Sequence, residues 1–176
     1  MNESWRTISE EEVDKNPWWS HIVRRFVAPD GREGEYHFVH NDGAVMTFAQ
    51  DADGRFVMIR EYRYIQDRMS VSASAGGIER GETPAESAVR ELREETGYET
   101  GGIVKLGEYA GAAAFSDEVI HVFLATALTK VGGHDAEVAE VLLMASHEID
   151  DAILTGEIWD GHAIASWQLV KLHLGL

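Results

Sequence analysis

Thr83-Pro84 and Gly97 bracket a segment whose start, stop and buried face can all be read from its residue types. Thr83 suits an N-cap, Pro84 the first helical position, and Glu86 completes a capping box. Gly97 supplies the stop, because a left-handed residue there ends the helix without steric cost. Ala85, Ala88, Leu92 and neighbouring Val89 form an apolar stripe that must face the body of the protein. On another side stand Glu91, Glu94 and Glu95, at i, i+3 and i+4, so their carboxylates project together. Like charges at that spacing weaken a helix by a few tenths of a kcal/mol per pair, which Arg90 and Arg93 partly offset. Such a face is either solvated acid with ordinary ion pairs or a set of hard oxygen ligands.

The rest of the 176-residue chain narrows the setting. A formal net charge of −16 repels polyanions, so neither nucleic acid nor an anionic membrane is an expected partner. A small phosphorylated molecule is compatible if cations and a few arginines neutralise it locally. No apolar run approaches the roughly 18 residues of a membrane span. The first twenty residues lack the apolar core and small-residue cleavage site of a signal peptide. Cysteine is absent, which excludes disulfides, thiolate metal sites and a cysteine nucleophile. A cytoplasmic location fits these features.

Extended segments come first. Ile22 to Val27 runs to a Pro29-Asp30-Gly31 turn, with Glu35 to His40 as its partner. Ala44 to Ala49 and Arg55 to Tyr62 flank a hairpin turn at Asp51 to Gly54. Ser70 to Gly77 reads as a small-residue loop leading into the capped helix. Ile103 to Tyr109, Val119 to Leu128 and Glu140 to Ala145 read as strands. Two core-covering helices follow, one with Ile149, Ala152 and Ile153 stopping near Gly156, the other with Ala163, Trp167, Val170 and Leu174. That order predicts an α+β sandwich. No repeat or long linker divides the chain.

The sequence from Gly76 to Tyr98, G-G-I-E-R-G-E-T-P-A-E-S-A-V-R-E-L-R-E-E-T-G-Y, matches every fixed position of the Nudix signature. The chain resembles a Nudix hydrolase, and the resemblance implies an α/β/α sandwich around a mixed β-sheet. It implies Mg²⁺, with Mn²⁺ able to substitute, held by Glu91, Glu94, Glu95 and the backbone carbonyl of Ala75. Hard oxygens suit those ions, which polarise a phosphoryl group and neutralise developing charge. Glu82 and Arg90 would hold the loop against the helix through an ion pair.

Outside that box the chain resembles the ADP-ribose and nucleotide-sugar pyrophosphatase branch. Val27 to Gly31 leading to Glu35 to Val39 resembles that branch's extra N-terminal antiparallel strands. Arg60-Glu61-Tyr62-Arg63-Tyr64 resembles its strand ending in a phosphate-contacting arginine, and a guanidinium can grip a diphosphate with two parallel hydrogen bonds. Leu106 to Tyr109, Phe115 to Glu118, Phe123 to Ala125 and Gly156 to Asp160 continue the pattern. The resemblance implies two regions, 1–42 pairing subunits in a homodimer and 43–176 carrying hydrolysis. Glu118 is a candidate for binding base or sugar, and Tyr36, Phe38, Trp18 and Trp19 are candidates for stacking on a base.

In this branch a loop glutamate before the last strand often acts as general base. Here the loop is Val131 to Glu140, with Glu137 the first candidate and Asp135 and Glu140 the alternatives. His134 reads as an exposed loop histidine. Two departures widen the substrate range. Ala112-Ala113-Ala114 stands where ADP-ribose pyrophosphatases carry a proline. Ser72-Ala73-Ser74-Ala75-Gly76 replaces their Glu-x-Pro-Ala-Gly. The expected substrate is therefore a nucleoside diphosphate sugar or ADP-ribose, cleaved to a nucleoside monophosphate and a sugar phosphate. The alternatives are hydrolysis of nucleoside triphosphates or dinucleoside polyphosphates, and a nucleotide-binding module without turnover.

Overall fold

The computed structural model describes residues 4–176, which form two compact units. One unit runs to Asp42 and takes in Ala110–Val119; the other comprises Gly43–Tyr109 and Ile120–Leu176.

The N-terminal unit is a three-stranded antiparallel sheet of β1 (Arg6–Lys15), β2 (Ser20–Val27) and β3 (Glu33–His40). The first strand is a correction, since its acidic sequence carries no alternation. It is exposed throughout, so main-chain pairing and polar links hold it rather than burial. Arg24 meets Glu10 at 2.6 Å, and Ser20 Oγ donates to Glu12 at 2.7 Å. The segment 110–119 lies along β3, with Val39 N–H donating to the Phe115 carbonyl and Asp117 N–H to that of Val39.

The larger unit is a mixed sheet between helices. Its central path is β10 (Val138–Met144), β5 (Phe56–Arg63), β4 (Ala44–Gln50), β9 (Val119–Lys130) and β8 (Tyr98–Ala110). Two short strands attach to it: β6 (Arg68–Ser72) pairs with β5, and β7 (Ser74–Gly77) pairs with β4. The β4–β9 pair is parallel, whereas β4–β5 and β5–β10 are antiparallel. Alternation along β4 and β5 serves both faces. Val45, Ala49 and Val57 pack toward Ala88 and Leu92 of α1 (Pro84–Thr96). Met46, Phe48, Phe56 and Met58 pack with Ile149 of α2 (Ser146–Thr155) and Trp167 and Val170 of α3 (Gly161–Leu174). This is the expected sandwich.

The expected loop over Ser70 to Gly77 is instead strand, and the reason is a period of two. Val71 and Ala73 enter the core shared with α2 and α3. Ser70, Ser72 and Ser74 point the other way, as the partners of Glu61, Ile59 and Thr47.

Candidate active site

The helix cap forms as its residues dictate. Thr83 accepts from the Glu86 N–H, the Glu86 side chain reaches back to Thr83 N–H, and Gly97 is left-handed at φ 67°. The buried face is narrower than the predicted stripe. Ser87, Ala88, Leu92 and Thr96 are buried, while Val89 and Ala85 are only half-buried.

This geometry sets the carboxylates against the β7 loop. Glu95 Oε2 accepts from the Ala75 N–H at 2.9 Å. Gly76 lies so close to Glu91 that a Cβ there would come within 2.1 Å of its carboxyl carbon. Any larger side chain there would have to displace the Glu91 carboxylate. Arg90 secures the turn from the other side, meeting Glu82 Oε1 at 3.0 Å and the Gly77 carbonyl at 3.1 Å. It also reaches Glu91 at 2.6 Å and Glu94 at 3.2 Å. The hydrogen bonds from Arg90, then that from Ser87, hold Glu82 down to a pKa of about 2. Its ion pair with Arg90 has the predicted structural role.

Glu95 is the opposite case. Burial pushes its carboxyl up to about 7 despite the Ala75 hydrogen bond, and repulsion from Glu91 and Glu61 adds to the effect. Burial also raises Glu91, against the lowering influence of Arg90. A half-buried set of carboxylates with surplus negative charge, pressed against main chain, suits a hard divalent cation. Among the described residues, no three acidic or histidine side chains already converge as a ligand cage. Ala75, Glu91 and Glu95 come together at the loop. Glu94 is more exposed and is joined to this group through Arg90.

The loop from Val131 is docked on the end of α1. Val131 and Gly132 donate N–H bonds to the Gly97 carbonyl, and Asp135 N–H donates to that of Glu94. Of the candidate bases, Glu140 is ion-paired with Arg60 at 3.2 Å, and Asp135 is held through its main chain. Glu137 repels Glu61, so those two carboxylates act on one another.

Glu61 is the residue that the sequence reading passed over. Burial, chiefly, raises its carboxyl pKa, and Asp160 and Glu137 add repulsion that Arg63 opposes. Arg63 closes on it at 2.6 Å and on Asp160 at 3.5 Å. The available signal was the spacing Glu61-x-Arg63 on a strand, which puts both side chains on one face.

Tyr36 and Glu118 belong to the N-terminal unit. There the Tyr36 hydroxyl donates to the Ala114 carbonyl at 3.0 Å, leaving its ring half exposed. Glu118 accepts from Asn41 at 2.7 Å. Phe38 is buried, whereas Trp18 and Trp19 are exposed.

Comparison with known proteins agrees with this geometry. The NUDIX domain family profile matches residues 40–167. The chain is 37% identical over 166 residues to the ADP-ribose pyrophosphatase of Mycobacterium tuberculosis, covering 92% of this chain and 80% of that one. It is 29% identical over 171 residues to the ADP-ribose pyrophosphatase of Bacillus subtilis, covering 95% and 92%. A crystal structure of an ADP compounds hydrolase superimposes with a TM-score of 0.83 at 18% identity, covering 98% of this chain and 95% of that one. That last likeness establishes the fold. The chain belongs to the NUDIX domain family and is a Nudix pyrophosphohydrolase of the ADP-ribose pyrophosphatase branch.

Proposed function

We propose that the chain hydrolyses the diphosphate bond of ADP-ribose or a nucleoside diphosphate sugar, releasing a nucleoside monophosphate and a sugar phosphate. The observation that carries this reading is the packing of Gly76 on Glu91 and of the Ala75 N–H on Glu95. It gathers buried acid and main chain at one point on α1, as a phosphate-bound cation requires.

Glu91, Glu94, Glu95 and the Ala75 carbonyl would hold Mg²⁺, or Mn²⁺ in its place. When bound, the cation supplies Lewis-acid polarisation of the phosphoryl oxygens and offsets the charge that develops there. Arg63 orients the diphosphate, Glu137 takes the proton of the attacking water, and charge stabilisation dominates the rate. Tyr36 stacks on the base and Glu118 accepts hydrogen bonds from base or sugar. Residues 1–42 pair two subunits, 43–176 carry the chemistry, and the dimer works in the cytoplasm.

Product analysis with ADP-ribose, GDP-mannose, UDP-glucose and a set of nucleoside triphosphates, each with Mg²⁺, tests the reading. Nucleoside monophosphate and sugar phosphate from a diphosphate sugar are expected. Turnover confined to triphosphates, with pyrophosphate released, would overturn it.

A further inference from the structure

Two arginines on β5 meet carboxylates in different ways. Arg60 uses two of its nitrogens, Nε on Glu140 at 3.2 Å and Nη2 on Glu157 at 2.6 Å. Those bonds tie β10 to the α2–α3 connection and occupy the fork. The nearest approaches of carboxylates to Arg63 both fall on one nitrogen. Both Glu61 Oε1, at 2.6 Å, and Asp160 Oδ2, at 3.5 Å, face its Nη2. Its Nε and Nη1 donate no hydrogen bond among the described residues, although the side chain is only 35% exposed.

The two anchors are themselves fixed. Glu61 is 16% exposed and Asp160 19%. Asp160 is the N-cap of α3, its Oδ1 accepting from the His162 N–H at 2.9 Å, so its second oxygen is aimed by the cap. Glu61 stands in electrostatic reach of both Glu95 on α1 and Glu137 on the docked loop. The clamp therefore belongs to the neighbourhood of the carboxylate helix, not to a remote surface.

We propose that Glu61 and Asp160 are positioning residues that grip Arg63 by one end of its guanidinium and present the other donors to the diphosphate. This rests on the reading of Arg63 as the diphosphate-binding group. A guanidinium fixed in this way loses less side-chain entropy when a phosphate arrives. Binding made equally in ground and transition states appears in KM rather than kcat.

The test is a double-mutant cycle with ADP-ribose and Mg²⁺, paired with calorimetric binding of its nonhydrolysable α,β-methylene analogue. Glu61→Ala should raise KM about tenfold while kcat falls by less than about threefold. Glu61→Gln should recover part of that loss, because the amide oxygen can still lie against Nη2 without the charge. Asp160→Asn keeps the cap, since asparagine caps as well as aspartate, so it should raise KM by about threefold without lowering the melting temperature. In an Arg63→Ala background both substitutions should have no further effect. Additive effects, or a fall in kcat at constant KM, would overturn the positioning role. If wild-type protein neither cleaves ADP-ribose nor binds the analogue, the substrate reading falls and the clamp with it. If wild type does both and Glu61→Ala matches it, only the clamp falls.

Discussion

At Glu95 a carboxylate is buried against the sheet at some cost to the fold, and a substitution there separates stability from chemistry. Glu95→Gln should keep the Ala75 hydrogen bond, remain folded, and lose at least about a hundredfold in turnover. Circular dichroism and initial rates check both halves. Gly76→Ala puts a methyl group into the Glu91 carboxyl and should cut turnover by about tenfold or more without unfolding the chain, because Glu91 is a flexible side chain that can swing away. The positions of Glu91, Glu94 and Glu95 were legible because helix period and caps are local. Glu61 was not, because its neighbours Asp160, Glu137 and Glu95 come from three other parts of the chain. Its partner Arg63 was found, yet the pairing needed strand geometry to show that residues two apart share a face.

The strands β6 and β7 show how an element can be written plainly and still be misread. Ser70-Val71-Ser72-Ala73-Ser74-Ala75 alternates at period two, but serine and alanine have low strand propensity and suggest a loop. What makes them strand is pairing with β5 and β4, which is long-range. The arrangement leaves the Thr47 and Ser72 hydroxyls buried with no partner among the described residues. Thr47→Val or Ser72→Ala should therefore raise stability by about 1 kcal/mol, read as a higher urea midpoint. Between α2 and α3 the opposite holds. Asp150 accepts from Lys171 at 2.8 Å and from Trp167 Nε1 at 2.8 Å, and these bonds, that from Lys171 first, lower its pKa. A lowered folded pKa stabilises above the ordinary aspartate value of 3.8 and is lost as pH falls through the folded value. Asp150→Ala should cost about 1 kcal/mol at pH 7, after allowance for partial exposure, and the gap to wild type should close below pH 4. Chemical denaturation at several pH values measures it.

For the molecule as a whole, the order of strands, capped helix, strands and terminal helices was legible, since each period or turn signal spans a few residues. Two features were not. The strand β1 carries no apolar face and is held by its neighbour. The segment 110–119 joins the N-terminal sheet through main-chain bonds to β3, far away in sequence. A net charge of −16 opposes the approach of an anionic substrate, and cations bound at the carboxylate helix would offset it. Chelation by EDTA should abolish turnover, Mg²⁺ should restore it, and Na⁺ at equal ionic strength should not. Light scattering on the eluted protein should give twice the 19.5 kDa chain mass if the N-terminal strands pair subunits.

From residues 131 to 135 the loop hydrogen-bonds to α1 only through main-chain groups, at Gly97 and Glu94. Its attachment is blind to the identity of most of its side chains. Gly97 is the exception, since a Cβ there would come within 2.4 Å of the Gly132 and Gly133 carbonyl oxygens. His134 can therefore be exchanged during evolution, or in a combinatorial library, while the scaffold is inherited intact. A descendant could vary this rim without first rebuilding its core.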